Sequence, residues 1–391
     1  MKKALIFMLS FQILFSNDES ISHLKNELLN LKRQKILKDM DIEENSWISP
    51  ATISASFEKN KDSTDALSEN QRISASWSQD IFRSGGIQAL IDKAKASGKA
   101  DLIGIDMERS QYLKDIFTYL SKMKRDELVV EQNKLTLQNS EIDLIIIKKQ
   151  YEVGNKDITD LNRAILDKDN ARTTLIISQN TLQSYITELK KLIGENDIAN
   201  IQIPAIPLIT KNEYLVRNME LEQYSALVQR DIAAQQVTKS SYLPKLTLNG
   251  SVGYNKYEGN NIGYDGDSYS YGVTLSMPID YNAENSIESS QLQLLQTKTS
   301  LMDRKAEIEE EYDNSIVNIK TYKQKINVAK EMKEIYKSLY KTTKAQSATG
   351  FKTNYDAEYI KNSLTIQDLE IKIQEYNILI EKIALYFNLT H

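Results

Sequence analysis

The chain has 391 residues, of which 41% are hydrophobic and 26% charged, and its formal net charge is −5. These values are typical of a folded protein, and the mild charge gives no indication of nucleic-acid binding. The sequence contains no cysteine, which excludes disulfides, thiolate metal sites and a cysteine nucleophile. Only two histidines are present, His23 and His391, so neither a histidine metal centre nor a catalytic triad is expected. We therefore predict no cofactor and no enzymatic activity.

Residues 1–16 have the pattern of a secretory signal peptide. Lys2 and Lys3 precede a mostly apolar run over 4–15, and Ser16 supplies a small residue before polar sequence. The run is too short to span a bilayer as a helix. We predict export from the cytoplasm; the alternative is an amphipathic helix at the N-terminus of a cytosolic protein.

A possible helix over 21–41 precedes two segments in which apolar residues alternate with polar ones. The alternating apolar positions are Ile53, Ala55 and Phe57, then Ile73, Ala75 and Trp77. Period-two alternation predicts strands with one apolar and one polar face. Polar loops are expected over 58–70 and, in the second half, over 255–267.

A proline-free stretch over 87–151 then shows apolar residues at three-, four- and seven-residue steps, which predicts a long helix of coiled-coil type. Such a helix would measure nearly 100 Å, at about 1.5 Å per residue. Gly154 fits the left-handed position after a helix, and Asp157 fits the N-cap of a return helix over 157–193.

The second half repeats this order. Gly350 follows Gly154 by 196 residues (350 − 154), and the same offset relates Asp356 to Asp160. A helix over 213–239 leads to two further alternating segments, a second heptad-patterned helix, and a return helix over 354–388 capped by Asn354 or Thr353. We predict a first structural repeat over 17–198, a linker over 199–211 with Pro204 and Pro207, and a second repeat over 212–391.

The four strands have apolar faces opposite faces rich in serine and threonine, as in membrane barrels with a wet lumen. A half-exposed soluble sheet is the alternative for any one strand. Strands of about 9–12 residues with aromatic residues near their ends favour the barrel. Four strands cannot close, and open edges are not tolerated in lipid, so the chain would donate its strands to an oligomer.

These features together resemble the TolC family of outer-membrane efflux and secretion channels. The resemblance covers the chain after the signal peptide and is carried by four ordered segments: 242–248 (YLPKLTL), 271–279 (YGVTLSMPI), 151–160 (YEVGNKDITD) and 350–356 (GFKTNYD). It implies a mainly α fold with a small β part. Three chains would form a twelve-stranded transmembrane β-barrel and a long periplasmic α-barrel of duplicated hairpins, with residues 199–211 as an equatorial linker.

The resemblance also implies a passive channel in the outer membrane. The homotrimer would conduct substrates from an inner-membrane transporter and a periplasmic adaptor (membrane fusion) protein to the outside, as part of a tripartite efflux pump or a type I secretion system. Gly154, Gly350 and Tyr151 would lie at the hairpin tips that contact the adaptor.

By position after the tip glycines, Asp356 matches a carboxylate that narrows the periplasmic entrance. Lys352 and Asp160 match an acid–base link between the tips. Tyr359 stands where some members carry a second acidic ring, so the gate is expected to be less acidic. Both aspartates also fit a simpler interpretation, in which a first-turn carboxylate stabilises a helix N-terminus. The two interpretations are compatible.

Two other classes stay open. A soluble periplasmic coiled-coil adaptor or scaffold without a pore would explain the heptads but not the four alternating segments. An enzyme is a distant third, because the scattered carboxylates accompany no Gly-rich loop, histidine pair or cysteine.

Overall fold

The computed structural model describes residues 21–61, 67–194, 198, 201–259 and 262–390, so the predicted signal peptide, residues 1–16, lies outside the described residues. The described residues form seven helices and four strands. In chain order these are α1 (His23–Glu44), β1 (Thr52–Lys61), β2 (Leu67–Phe82), α2 (Gly86–Glu152), α3 (Ile158–Ile193), α4 (Lys211–Val216), α5 (Met219–Ser241), β3 (Lys245–Gly259), β4 (Ile262–Ser276), α6 (Ala283–Ala348) and α7 (Asn354–Tyr386).

The order of elements is duplicated, as the sequence predicts. Each half contains two strands, a long helix of 67 or 66 residues, and a return helix of 36 or 33 residues. Pro50, Pro244 and Pro278 lie outside the strand ends, where a missing N–H interrupts no ladder. Gly194 ends α3 with a φ of 65°, a backbone conformation that glycine adopts without strain.

The predicted single helix over 213–239 is wrong in one respect, because it is divided into α4 and α5. The C-terminal residues pair with the chain at the break. Met219 N–H donates to the Asn388 carbonyl (3.0 Å) and Thr390 N–H to the Arg217 carbonyl (2.8 Å). In this short antiparallel bridge between Asn218 and Leu389, the C-terminal residues form hydrogen bonds with backbone groups that would otherwise be hydrogen-bonded within a continuous helix.

The four strands form one antiparallel sheet in the order β1-β2-β3-β4. Three of them, with 16, 15 and 15 residues, are longer than the predicted 9–12. The predicted polar loops are largely strand, since pairing continues to Lys61↔Leu67 and Gly259↔Ile262. Backbone pairing needs no apolar side chains, and stacking of Tyr257 on Tyr264 (centroids 5.3 Å apart) supports the end of the second hairpin.

One face of this sheet is apolar and exposed. Its large side chains, from 37% to 85% exposed, are Ile53, Phe57, Ile73, Trp77, Val252, Tyr254, Tyr269, Tyr271, Val273 and Leu275. The other face carries hydroxyl pairs across neighbouring strands, such as Ser54 with Ser74 (2.9 Å) and Ser251 with Ser270 (2.8 Å). The predicted alternation of apolar and polar faces is confirmed.

The chain divides into two compact units, each built from both halves. One comprises residues 31–105 and 220–304 and contains the sheet. Within it, Arg304 binds Glu220 through two hydrogen bonds of 2.6 and 2.9 Å, and the Thr297 hydroxyl donates to the buried Asp231 carboxylate (2.6 Å).

The other unit comprises residues 1–30, 106–219 and 305–391 and contains both long hairpins. Its hydrophobic core joins α2, α3 and the C-terminal end of α7. The fully buried members include Ile116, Phe117, Leu189 and Ile383. Phe117 stacks on Phe387 with ring centroids 5.5 Å apart. This core lies far along the helices from the turns at Gly154 and Gly350.

Among the described helices, none combines the length and the apolar composition that a membrane-crossing helix requires.

Candidate functional site: the two hairpin tips

The first tip is the turn from α2 to α3 around Gly154. Gly154 has a φ of 79°, the left-handed conformation that the sequence predicts for it. Its N–H donates to the Tyr151 carbonyl (2.9 Å), and the Asn155 N–H donates to the Gln150 carbonyl (2.8 Å). This pair of hydrogen bonds is the Schellman motif, which satisfies the last carbonyls of α2.

The second tip, from α6 to α7 around Gly350, makes the same turn. Gly350 has a φ of 81°. Its N–H donates to the Ser347 carbonyl (3.2 Å), and the Phe351 N–H donates to the Gln346 carbonyl (3.0 Å). The duplication thus extends to single hydrogen bonds, and both glycines are where the sequence predicts them.

The helices that leave the two turns are capped differently. In the first tip Asp157 is the N-cap of α3, as predicted, and its carboxylate accepts the Asp160 N–H (2.9 Å). This hydrogen bond lowers the pKa of the Asp157 carboxyl below its usual value. The Asp160 carboxylate is then available to pair with Lys156 of the same turn at 3.2 Å.

In the second tip Thr353 is the N-cap of α7, so of the two predicted candidates Thr353 is right and Asn354 is wrong. Thr353 accepts the Asp356 N–H (3.2 Å), and the Asp356 carboxylate accepts the Thr353 N–H (2.9 Å) and hydroxyl (2.8 Å). This reciprocal arrangement is a capping box. Asn354 has another role, since its side-chain carbonyl accepts a hydrogen bond from Ser347 (2.8 Å) across the turn.

The capping box favours the ionised form of the Asp356 carboxyl group. Hydrogen bonds from the Thr353 backbone and hydroxyl, and then the charge of Lys352, lower the pKa of Asp356. Both hydrogen bonds reach Oδ2. Among the described residues no hydrogen bond reaches Oδ1, so one oxygen of the ionised Asp356 carboxylate can accept a further ligand.

The structure does not bring the predicted partners Lys352 and Asp160 together within one chain. Asp160 pairs with Lys156, and among the described residues Lys352 has no carboxylate within 4.0 Å. The link between Lys352 and Asp160 stays a prediction.

Tyr359 lies half-buried in the first turns of α7. Burial raises the pKa of its hydroxyl, and nearby Asp143 of α2 and Tyr336 of α6 raise it further. Burial also raises the pKa of Asp143, with a second contribution from the charge of Asp167 on α3. Tyr359 is therefore partly buried in this chain, near Asp143 and Tyr336.

The second tip also contains a groove of about 440 Å³ between α6 and α7. Ser347 and Ala357 help to line it. Their counterparts 196 residues earlier are Tyr151 and Leu161, which are much larger. The small side chains of the second tip therefore leave this groove open. At the equivalent place in the first tip, the larger side chains of Tyr151 and Leu161 would fill it.

Sequence reasoning missed two contacts between the hairpins. The Lys149 Nζ lies 5.7 Å from the centre of the Tyr355 ring. Farther from the tips, Asn139 is buried against Asn362 and Ser363. A signal for Asn139 was present, because it interrupts the apolar spacing of Leu135 and Ile142 at a position that faces a partner helix.

Comparison with known proteins finds a family match in the second half of the chain. Residues 211–390 match the family described as outer membrane efflux protein. Outer membrane protein TolC of Vibrio cholerae is 22% identical over 196 residues, which are 46% of this chain and 44% of that relative. Over these residues the chain resembles the TolC family. The predicted family and the predicted outer-membrane localisation are thus confirmed, although the match spans less than half of the curated relative.

Solved structures show the same fold. The CmeC outer membrane channel of Campylobacter jejuni has a TM-score of 0.73 at 15% identity, covering 93% of this chain and 82% of that one. The outer membrane protein VceC of Vibrio cholerae has a TM-score of 0.73 at 14% identity, covering 96% and 94%. The predicted fold class is confirmed. The family match favours an outer membrane efflux protein over the soluble scaffold.

Proposed function

We propose that the protein is the outer-membrane channel of a tripartite efflux pump or a type I secretion system. It would conduct substrates passively, supplied by an inner-membrane transporter through a periplasmic adaptor. The observation that carries this proposal is the four-stranded sheet, with one exposed apolar face and one hydroxyl-lined face. Lipid outside and water inside is the environment that suits such a sheet.

The sheet also supports assembly from several chains. Its outer strands β1 and β4 each pair on one side within the described residues, to β2 and β3 respectively. An open edge in lipid leaves backbone groups unsatisfied at a cost of several kcal/mol each, so a second copy has to complete each edge. Three copies give twelve strands, the homotrimer that the family resemblance implies.

The hairpin helices carry matching exposed apolar positions. On α3 these are Ile165, Leu166, Ile176 and Ile177, from 41% to 59% exposed. On α6 they are Val317, Val328, Ile335 and Leu339, from 45% to 59% exposed. Apolar stripes at such spacings are buried when helices pack side by side. Contact between these stripes on neighbouring chains would close the helices into a tube.

The hairpin tips are the proposed periplasmic gate. Three Asp356 carboxylates around one axis would favour cations over anions, as carboxylate rings do. Tyr359, Lys352 and Asp160 would contribute to the same gate. Gly154, Gly350 and Tyr151 would lie on the surface that meets the adaptor, and the α6–α7 groove supports this by offering a cleft at the second tip.

The test is conductance of the purified protein across a planar lipid bilayer, together with its mass in detergent. A channel of this kind gives discrete conductance steps with cation preference and the mass of three chains. A soluble scaffold would leave the membrane fraction without detergent and give no steps. That pair of results would refute the proposed function.

A further inference from the structure

The contacts between the first and second hairpins change in kind toward the tips. Near the hydrophobic core they are apolar, as in the stacking of Phe117 on Phe387. Farther along α2 and α7, the Asn362 side chain donates to Asn139 (3.1 Å), and Asn139 donates to Ser363 (3.2 Å). These three side chains are only 7–8% exposed.

A buried, hydrogen-bonded amide layer fixes the register of two helices more strictly than an apolar layer does. A shift of α7 along α2 by one turn would leave the Asn139 and Asn362 amides buried without partners. Buried amides without partners destabilise the shifted arrangement. The layer therefore fixes the register of α7 along α2, and with it the relative position of the tips around Gly154 and Gly350 along the helix axes.

At the tips themselves, a cation–π contact joins the two hairpins. Lys149 lies in the last turn of α2 and Tyr355 in the first turn of α7, with the Nζ 5.7 Å from the ring centre. Among the described residues, no salt bridge or hydrogen bond joins 145–165 to 345–358. No carboxylate within the described part of the chain lies within 4.0 Å of the Lys149 Nζ.

We propose that Lys149 and Tyr355 form the latch that holds the two tips of one chain together, and that this contact breaks when the gate opens. The inference rests on the proposed function, and it names two positioning residues that the family comparison does not identify. Asp160, the predicted partner for a link between tips, is already occupied by Lys156. Within one chain the link between the tips is therefore an aromatic ring and a cation.

The strength of the contact suits a latch that has to release. An exposed cation–π pair is worth about 0.5–1 kcal/mol, which corresponds to about a two- to fivefold change in an equilibrium constant. Such a contact biases the tips toward each other without locking them. The amide layer stays intact when the latch opens, so the hairpins return to the same register.

The test is a set of variants measured by bilayer conductance of the resting channel. Lys149→Gln and Tyr355→Leu should each raise the open fraction of the channel. Each altered chain should shift the equilibrium between closed and open about two- to fivefold toward open. The double variant should do no more than either single change, because both remove the same contact. Lys149→Arg and Tyr355→Phe keep a cation and a ring, and should behave as the unaltered channel.

Lys148→Gln is the matched control, since it removes a neighbouring exposed lysine outside the contact. The latch is refuted if the unaltered protein conducts and Lys149→Gln behaves as Lys148→Gln, or if the two single effects add. An unaltered protein that conducts no ions would instead contradict the proposed function.

A second measurement tests the latch without conduction. The chain contains no cysteine, so spin labels can be attached at Asn155→Cys and Phe351→Cys alone. In the assembled protein, the distance distribution between these tips should broaden in the Lys149→Gln background and stay narrow in the Lys148→Gln background. Equal distributions in the two backgrounds would overturn the inference.

Discussion

The two hairpin tips share one backbone and differ in what their side chains do. Both turns have a glycine near φ 80° and the same two hydrogen bonds. In the first tip the aspartate six residues after the glycine, Asp160, pairs with a lysine of its own turn. In the second tip the equivalent Asp356 is held by the capping box, and Lys352 has no carboxylate partner among the described residues.

A single difference at the N-cap explains this divergence. Asp157 caps α3 through its own carboxylate, so Asp160 is not needed for capping. Thr353 caps α7 through a hydroxyl, and Asp356 completes the box. The turn is thus the same in both copies. The change from Asp157 to Thr353 at the N-cap alters the role of the carboxylate three positions later, which pairs with a lysine in the first tip and completes the cap in the second.

The shared turn predicts equal sensitivity to loss of glycine. Gly154→Ala and Gly350→Ala should each cost about 1–2 kcal/mol, because alanine is strained in the left-handed region. At both positions a built Cβ meets nothing within 4 Å, so strain is the whole effect. Hydrogen exchange at the last turns of α2 and α6 should accelerate roughly tenfold.

Gly266→Ala is the control for this prediction. Gly266 also has open space around a built Cβ, and it does not have a positive φ. Exchange at the two tips should not change in this variant. A large effect at one tip and none at the other would show that the two turns are not equivalent.

The different roles of the carboxylates predict unequal effects on ion selectivity. Asp356→Asn should lower the ratio of cation to anion permeability by at least about fivefold, because one charge about 4 Å from a cation in water already gives a Boltzmann factor of that size. Asparagine can still accept the Thr353 N–H, so the cap survives. Asp160→Asn should change the ratio less, because Lys156 already neutralises that carboxylate.

Reversal potentials under a salt gradient measure this ratio. An Asp356→Asn channel with the original preference would remove Asp356 from the gate. Equal losses in both variants would contradict the contrast between the tips, even if both carboxylates contribute to selectivity.

Much of the fold followed from local signals in the sequence. Gly154, Gly350 and Asp157 occupy the predicted positions because a left-handed turn and an N-cap each restrict residue choice strongly. The break between α4 and α5 could not be predicted, because it depends on pairing with residues 388–390, far away in sequence. The contact of Lys149 with Tyr355 could not be predicted for the same reason, because it forms only when α2 packs against α7, which is far away in sequence.

The smallest expected effect is the loosening of the two helix N-termini at low pH. Hydrogen bonds lower the pKa of both Asp157 and Asp356, so each ionised carboxylate stabilises its helix above the ordinary aspartate range near 3.8. This stabilisation is lost as the pH falls through the lowered pKa. The N-cap acceptor of the first tip then loses its negative charge and becomes weaker, whereas the Thr353 hydroxyl of the second tip does not titrate in this range. Acidification should therefore loosen α3 more than α7.

Hydrogen exchange at the first turns of α3 and α7, corrected for the intrinsic effect of pH, measures this difference. Protection of α3 should fall about fivefold or less between pH 6 and pH 3, in line with the value of one N-cap. Asp157→Thr should make the response of α3 resemble that of α7, because threonine supplies an acceptor without a titrating group. If α3 in Asp157→Thr still loosens in acid as before, the carboxylate cap is not the source of the difference between the tips.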